Sequence, residues 1–391
     1  MNKRKVLMAC TNYWSSPFQV GSNHLARRFA HDGWEIAWIS DPVTPLHLLG
    51  GRIQDLNDRY TIYSQNGEYD LEGSLWYYVP GGLISPQNKP ILRTGFVHEN
   101  WHRMTFPKVV ETVAKKGFGV IDLLFLQSSS QDFWFDNTQF QKSVLRIADK
   151  NSGFSRYSKK MASIELEIAQ KVDLVIYTAK TLEEYVNKLN SKNSLFLPNG
   201  VDFTHFNRSK QEIRPPPEYT RIPPPIIVYV GSLEKWIFDY ELVYSVAETL
   251  KEVSFVIIGP DYLSTAKNYF SSLANVYLLG SRNYDVLPAY LIFADIGIIP
   301  FPVNKYPELI HFANPVKLYD YLASGLPVVA VATKELEQIG SPIVLAYTLN
   351  DFVNALREVL QSSINKDVLK NYARQQDWSY RYQLLLNHLN W

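Results

Sequence analysis

The chain has 391 residues, 46% of them apolar and 20% charged, with 39 basic against 38 acidic side chains. This is enough chain for two globular domains, its composition is not that of a disordered protein, and its near-zero charge balance makes no electrostatic case for nucleic acid. One cysteine, Cys10, excludes an intrachain disulfide, and no apolar run reaches the roughly 18 residues needed to span a bilayer, so the cytoplasm is the expected setting.

The chain opens with KVLMAC, a polar loop, the helical spacing of HLARRFAHDG and the apolar run WEIAWIS, which together form a strand, loop, helix and strand. LWYYVP, VIDLLFLQ, SVLRIAD, VDLVIYTA and SLFLPN continue as buried strands. RPPPEYTRIPPP, from Arg214 to Pro225, suits neither helix interior nor central strand and reads as a stiff linker within residues 207–225. The alternation then restarts with IIVYVGS, SFVIIGP, NVYLLGS, IGIIPF and VVAVA, separated by helices. The expected fold is α/β, with two doubly wound Rossmann-like domains over residues 1–206 and 226–375 facing across a cleft. A last helix, 376–391, is expected to pack back on the first domain.

Ligands of open parallel sheets bind beyond the carboxyl ends of the strands. There the loops GSLEKW and GSRNYD offer Gly231 with Ser232 and Gly280 with Ser281, and Gly259 ends a third strand. Each glycine either lets a ligand approach the backbone or simply turns the chain. In NPVKLYDYLASGLPVV, Asn314 can cap a helix that Gly325 and Pro327 end. Lys317 in its first turn opposes the helix dipole unless an anion sits there. A diphosphate would resolve that conflict, and Asp320 one turn later could accept hydrogen bonds from ribose hydroxyls. The alternative is a mutual ion pair on a solvated face. Neither GxGxxG, GxxxxGK[ST] nor HExxH occurs, and no metal is expected.

LPNGVDFTHF, VYVGSLEKW, NVYLLGSRNYDVLPAYLIFADIGIIPF and NPVKLYDYLASGLPVV together resemble the GT-B glycosyltransferases. The likeness is strongest between Ser194 and Val331. It implies a nucleotide-sugar site in the second domain and an acceptor site in the first. Within the family the nearer likeness is to the bacterial polysaccharide glucuronosyltransferases of the xanthan-assembly type. In those an arginine, two residues and an aspartate follow a strand, and the aspartate is the base of an inverting transfer. RIAD here supplies Arg146 and Asp149. Independently, a carboxylate at the carboxyl end of an apolar strand is placed for base chemistry, although an aspartate there also serves as an ordinary helix cap.

Retaining relatives carry two glutamates separated by seven residues. Asp320 matches the second and Phe312 stands in place of the first, with Glu308 and His311 as nearby candidates for sugar or phosphate contact. By the same resemblance Gly21, Ser22 and His24 face donor phosphates or acceptor, whereas Arg27 and Arg28 are expected on a solvated face. The implied activity is an inverting, metal-independent transfer without a cofactor, from a UDP-sugar to a glycan or lipid-linked oligosaccharide in polysaccharide biosynthesis. The residues from Ile91 to Gly117 mix aromatic, aliphatic and basic side chains, as a helix at a membrane surface does and as one packed on its own sheet does. A nucleotide-sugar epimerase and a non-catalytic nucleotide- or glycan-binding module are the rival readings.

Overall fold

The computed structural model describes residues 3–16, 19–48, 56–86, 89, 91–154, 157–261 and 264–391. The chain forms two compact units. One comprises Met1–Ser16, Ser22–Leu197 and Tyr382–Trp391; the other comprises Pro17–Gly21 and Pro198–Arg381.

The first unit is built on β1 (Lys5–Cys10), β2 (Glu35–Ser40), β3 (Glu68–Asp70), β4 (Leu75–Tyr78), β5 (Val120–Leu126), β6 (Gln139–Ile147), β7 (Leu174–Tyr177) and β8 (Ser194–Phe196). They lie in the order β3-β4-β2-β1-β5-β6-β7-β8, parallel except for β3. Val6 to Ala9 and Leu123 to Leu126 are fully buried, as a central strand covered on both faces requires. The chain passes from β1 to β2 on one side and later places β5 on the other, so loops diverge at the carboxyl end of β1. Tyr382 donates from Oη to Asp32 at 2.7 Å, its ring meets Phe29 at 5.0 Å, and Trp391 lies 5.3 Å from Trp34.

The segment after β6 is held by a buried carboxylate. Glu165, in the helix Lys159–Lys171, accepts from Tyr157 Oη at 2.9 Å, from Asn151 Nδ2 at 2.5 Å and from Tyr185. Such a group persists in a core only when its oxygens are satisfied. The residues from Ile91 to Gly117 form no single helix but break into Gly95–Asn100, Trp101–Met104 and Val109–Val113.

The second unit carries β9 (Ile226–Val230), β10 (Ser254–Ile258), β11 (Val276–Gly280), β12 (Ile296–Ile299), β13 (Val328–Val331) and β14 (Val344–Ala346), all parallel in the order β11-β10-β9-β12-β13-β14. An apolar core covers each face of this sheet. The proline-rich segment is not a linker. Tyr219 and Ile222 are buried in one of these cores, Tyr219 Oη donates to the Tyr290 carbonyl at 3.1 Å, and Glu218 pairs with Arg282 at 2.7 Å. The prolines stiffen the backbone, and the apolar residues between them dock it.

Candidate functional site

In the second unit the sheet reverses its winding at β9, and there the helix Val316–Ala323 begins. Tyr321 Oη accepts from the Val230 N–H at 2.8 Å and ties this helix to the end of β9. Lys317 Nζ donates to Tyr229 Oη at 3.2 Å, sits 4.4 Å from the centre of that ring, and lies 5.8 Å from the ring of Phe301. Burial lowers its pKa to about 7, against a weaker opposing pull from Asp320. Gly231, with φ of +151°, leaves the space: a Cβ there would lie 2.9 Å from Lys317 Nζ and 3.0 Å from Tyr229 Oη.

Among the described residues, no ion pair joins Lys317 to Asp320. Asp320 Oδ1 is shielded from solvent and has no hydrogen-bond partner, although the side chain as a whole retains some exposed surface. Burial raises its pKa well above the usual carboxylate range, the Asp202 carboxylate raises it further, and Lys317 opposes both. Asp202, in NGVD, caps the short helix Phe203–Phe206 by accepting from the His205 N–H at 3.2 Å. The arrangement is therefore a half-buried lysine whose ammonium lies on an aromatic face, followed one turn later by a half-buried carboxylate with one shielded, unbonded oxygen. Both are costly in a closed core and suited to a ligand carrying an anion and hydroxyl groups.

The other expected donor residues lie in the same unit. Ser232 accepts through its carbonyl from Tyr229 Oη at 2.6 Å and through Oγ from the Glu234 N–H at 3.2 Å. Gly259 packs closely on Gly231: a Cβ there would lie 1.9 Å from the Gly231 carbonyl oxygen. Gly280 takes a left-handed φ of +69°, and the carbonyl of exposed Ser281 accepts from Arg282 at 3.0 Å. Asn314 is not the helix cap. Pro315 occupies that position, and Asn314 is buried, with Oδ1 accepting from Tyr319 Oη and Nδ2 donating to Glu335, both at 3.1 Å.

Glu308 lies exposed in the short helix Pro307–Ile310. His311 Nδ1 accepts from the Lys334 N–H at 3.3 Å, and its pKa is lowered, first by burial and then by Lys334. A cavity of about 500 Å³ is lined by Phe301, His311, Lys334, Glu337 and Tyr347 among others. Its walls are internally bonded, as by Tyr347 Oη to Glu337 at 3.0 Å. Tyr229, Phe301 and Asp202 were not singled out from the sequence. Only Asp202, inside NGVD, carried a local signal.

In the first unit, Asp149 follows β6 and is half-buried. Arg146 is buried; desolvation lowers its pKa to about 10, with Asp149 and Cys10 pulling it back up. The structure thus brings the guanidinium and Asp149 into electrostatic reach. Gly21 begins the first helix, Ser22 Oγ donates to Gln127 Oε1, and His24 is buried. Arg27 is not on a solvated face; its guanidinium lies 5.0 Å from the centre of the Trp14 ring. Among the described residues, no group of three or more His, Cys, Asp or Glu side chains is placed to hold a metal ion, and no helix is long and apolar enough to cross a membrane.

Residues 8–178 match the N-terminal domain of the glucuronosyltransferase GumK, and residues 224–362 match the glycosyl transferases group 1. TuaH of Bacillus subtilis (strain 168), named as a teichuronic acid biosynthesis glycosyltransferase, is 25% identical over 256 residues, covering 62% of this chain and 63% of the relative's length. Sucrose-phosphate synthase from Thermosynechococcus elongatus superimposes with a TM-score of 0.68 at 16% identity, covering 99% of this chain and 98% of its own. HepE of Anabaena, solved with UDP and glucose, does so with a TM-score of 0.67 at 14% identity, covering 99% of each chain. Glycosyltransferase family domains thus match both halves of the chain, whose two parallel-sheet units have the GT-B fold and whose first half resembles that of GumK.

Proposed function

We propose that the protein is an inverting, metal-independent glycosyltransferase. It moves a sugar from a UDP-linked donor to a glycan or lipid-linked oligosaccharide in polysaccharide biosynthesis. The observation that carries this reading is Lys317. Its ammonium lies at the start of a helix and the carboxyl end of β9, beside Tyr229 and Gly231, with no carboxylate paired to it among the described residues. Lys317 and the helix N-terminus receive the diphosphate, and Asp320 receives the ribose hydroxyls. The binding of UDP and glucose by HepE supports the choice of donor, and the naming of TuaH for teichuronic acid biosynthesis supports a polysaccharide product.

Chemically, Asp149 takes the proton of an acceptor hydroxyl as its oxygen attacks the anomeric carbon. The bond from that carbon to the diphosphate oxygen breaks, and the leaving diphosphate is stabilised by Lys317 instead of a proton donor. Arg146 lies within electrostatic reach of the base. Phe312, standing where retaining relatives carry the first of their two glutamates, is consistent with inversion. The reading extends to peripheral membrane contact, since Leu83, Ile91, Phe96 and Phe106 are exposed among the exposed cations Lys89, Arg93, Arg103 and Lys108.

A thermal-shift screen of UDP, GDP and dTDP sugars identifies the donor, and incubation with lipid-linked oligosaccharide extracts detects transfer. The anomeric configuration of the product reports inversion. Asp149→Asn is expected to abolish transfer with nucleotide affinity nearly unchanged, and near-normal turnover in that variant removes Asp149 from the role. Donor isomerisation without acceptor would indicate an epimerase, and binding without either reaction a binding module. Cosedimentation with phosphatidylglycerol vesicles tests the membrane contact.

A further inference from the structure

The first unit holds a second carboxylate that the reaction above does not use. Asp41 follows β2, at the point where loops diverge around β1. Its Oδ1 accepts from Ser128 Oγ at 2.8 Å, Ser130 Oγ at 2.8 Å and Gln131 Nε2 at 3.2 Å. Gln131 is itself fixed, since Nε2 also reaches the carbonyls of Cys10 at 3.2 Å and Ile39 at 3.1 Å, and its Oε1 accepts from Trp134 Nε1 at 3.1 Å. Arg59 holds the backbone, donating from Nη1 to the Asp41 carbonyl at 3.0 Å.

All of the bonds to Asp41 fall on one carboxylate oxygen or on its main-chain carbonyl. Among the described residues, Oδ2 receives none, and it is not one of the sealed polar atoms. A carboxylate serving only to anchor a loop gains by spending both oxygens. Here one is clamped and the other is left open. The buried Cys10 thiol, at the end of β1, is within electrostatic reach of both Asp41 and Arg146, and Arg146 in turn of Asp149. Asp41 therefore stands on one side of β1 and the Arg146 and Asp149 pair on the other, at the same end of the same sheet.

We propose that Asp41 is an acceptor-binding residue whose Oδ2 accepts a hydrogen bond from a sugar hydroxyl, holding the acceptor ring while Asp149 deprotonates the attacking oxygen. This rests on the glycosyltransferase reading and adds to it a second contact for the acceptor. The chemistry of the site selects a neutral polyol. Three donors on Oδ1 favour the ionised form, so Oδ2 makes a charge-assisted bond to a hydroxyl proton. Burial counters by raising the pKa of Asp41, with the three donors and Arg59 opposing it.

The test is ligand-observed NMR with a panel of methyl glycosides, namely glucoside, galactoside, mannoside and glucuronide, added to the full chain and to Asp41→Asn. UDP binding by thermal shift is measured on the same samples. At least one glycoside should bind the unaltered protein and bind Asp41→Asn at least tenfold more weakly, with the UDP shift preserved in both. Equal binding to the two proteins, or binding to neither while UDP binds, overturns the assignment. Failure of UDP to bind the unaltered protein counts instead against the nucleotide-sugar reading. Should Asp41→Asn not fold, Ser130→Ala decides. Releasing one clamp on Oδ1 is expected to weaken the same glycoside about threefold at unchanged UDP affinity, and an unchanged glycoside affinity there overturns the assignment too.

Discussion

Lys317 Nζ rests 4.4 Å from the centre of the Tyr229 ring and donates to its hydroxyl at 3.2 Å, so a half-buried lysine has a phenol as its partner rather than a carboxylate. Burial brings its pKa down from 10.5 to about 7. The unfolded chain therefore keeps this proton to higher pH than the folded one, and the lysine's contribution to stability rises with pH between those two values. Asp320, raised by burial, slopes the other way above its ordinary 3.8. Lys317→Met isolates the lysine. The variant should gain melting temperature over the parent at pH 6 and lose most of that gain at pH 10, and a gain independent of pH would contradict the assignment.

Binding a diphosphate should recharge Lys317. At pH 8 the free side chain is mostly neutral, whereas beside an anion it is protonated, so UDP binding takes up close to one proton. Calorimetry in buffers of different ionisation enthalpy measures this directly. Lys317→Arg, charged throughout, should bind UDP with little uptake; equal uptake in the two proteins would place the titrating group elsewhere.

Asp320→Asn tests the ribose contact. Losing a charged acceptor for a hydroxyl is worth about 1.5 to 3 kcal/mol. Affinity for UDP should fall at least tenfold, while affinity for inorganic pyrophosphate, which has no ribose, should hold or improve as a negative charge is removed. A parallel loss for both ligands argues that Asp320 shapes the helix instead.

Gly231→Ala places a methyl group against Lys317 Nζ and Tyr229 Oη at a backbone angle that side chains rarely adopt. A destabilisation of about 1 to 3 kcal/mol is expected from the backbone alone, together with weakened UDP binding. Denaturant unfolding and a UDP titration check the two effects separately.

Glu165→Gln addresses the segment after Asp149. Tyr157, Tyr185 and Asn151 would lose the anion on which they converge. Turnover should drop more than donor affinity, because the anchor supports the base-bearing segment of the first unit. A variant with parental kcat but reduced melting temperature would limit Glu165 to stability.

Strands covered on both faces are continuous apolar runs, so KVLMAC, VIDLLFL and IIVYV could be read without knowing their neighbours. The helix carrying Lys317 was legible for a similar reason, since Gly325 and Pro327 close it locally. What lay beyond reach depends on partners distant in the chain. Asn314 has the chemistry of a cap but is drawn away by Tyr319 and Glu335. Tyr229 reads as one more strand residue until the sheet places it under Lys317. The proline-rich segment has the composition of a linker, and only Tyr290 and Arg282, some 70 positions on, reveal that it is docked. Asp41 gave no local sign, because the three groups that clamp it come from Ser128 to Gln131.

The contacts of Tyr382 and Trp391 with Phe29, Asp32 and Trp34 have a consequence for how the chain is made. During synthesis Tyr382–Trp391 emerges after all of the second unit, so the first unit waits with Phe29 and Trp34 uncovered while its neighbour is completed. Order of emergence and order of completion are thus reversed. A chain ending before Tyr382 would carry the whole stretch Pro198–Arg381 of the second unit but leave Phe29 and Trp34 of the first uncovered, and that form would be the one most in need of a chaperone.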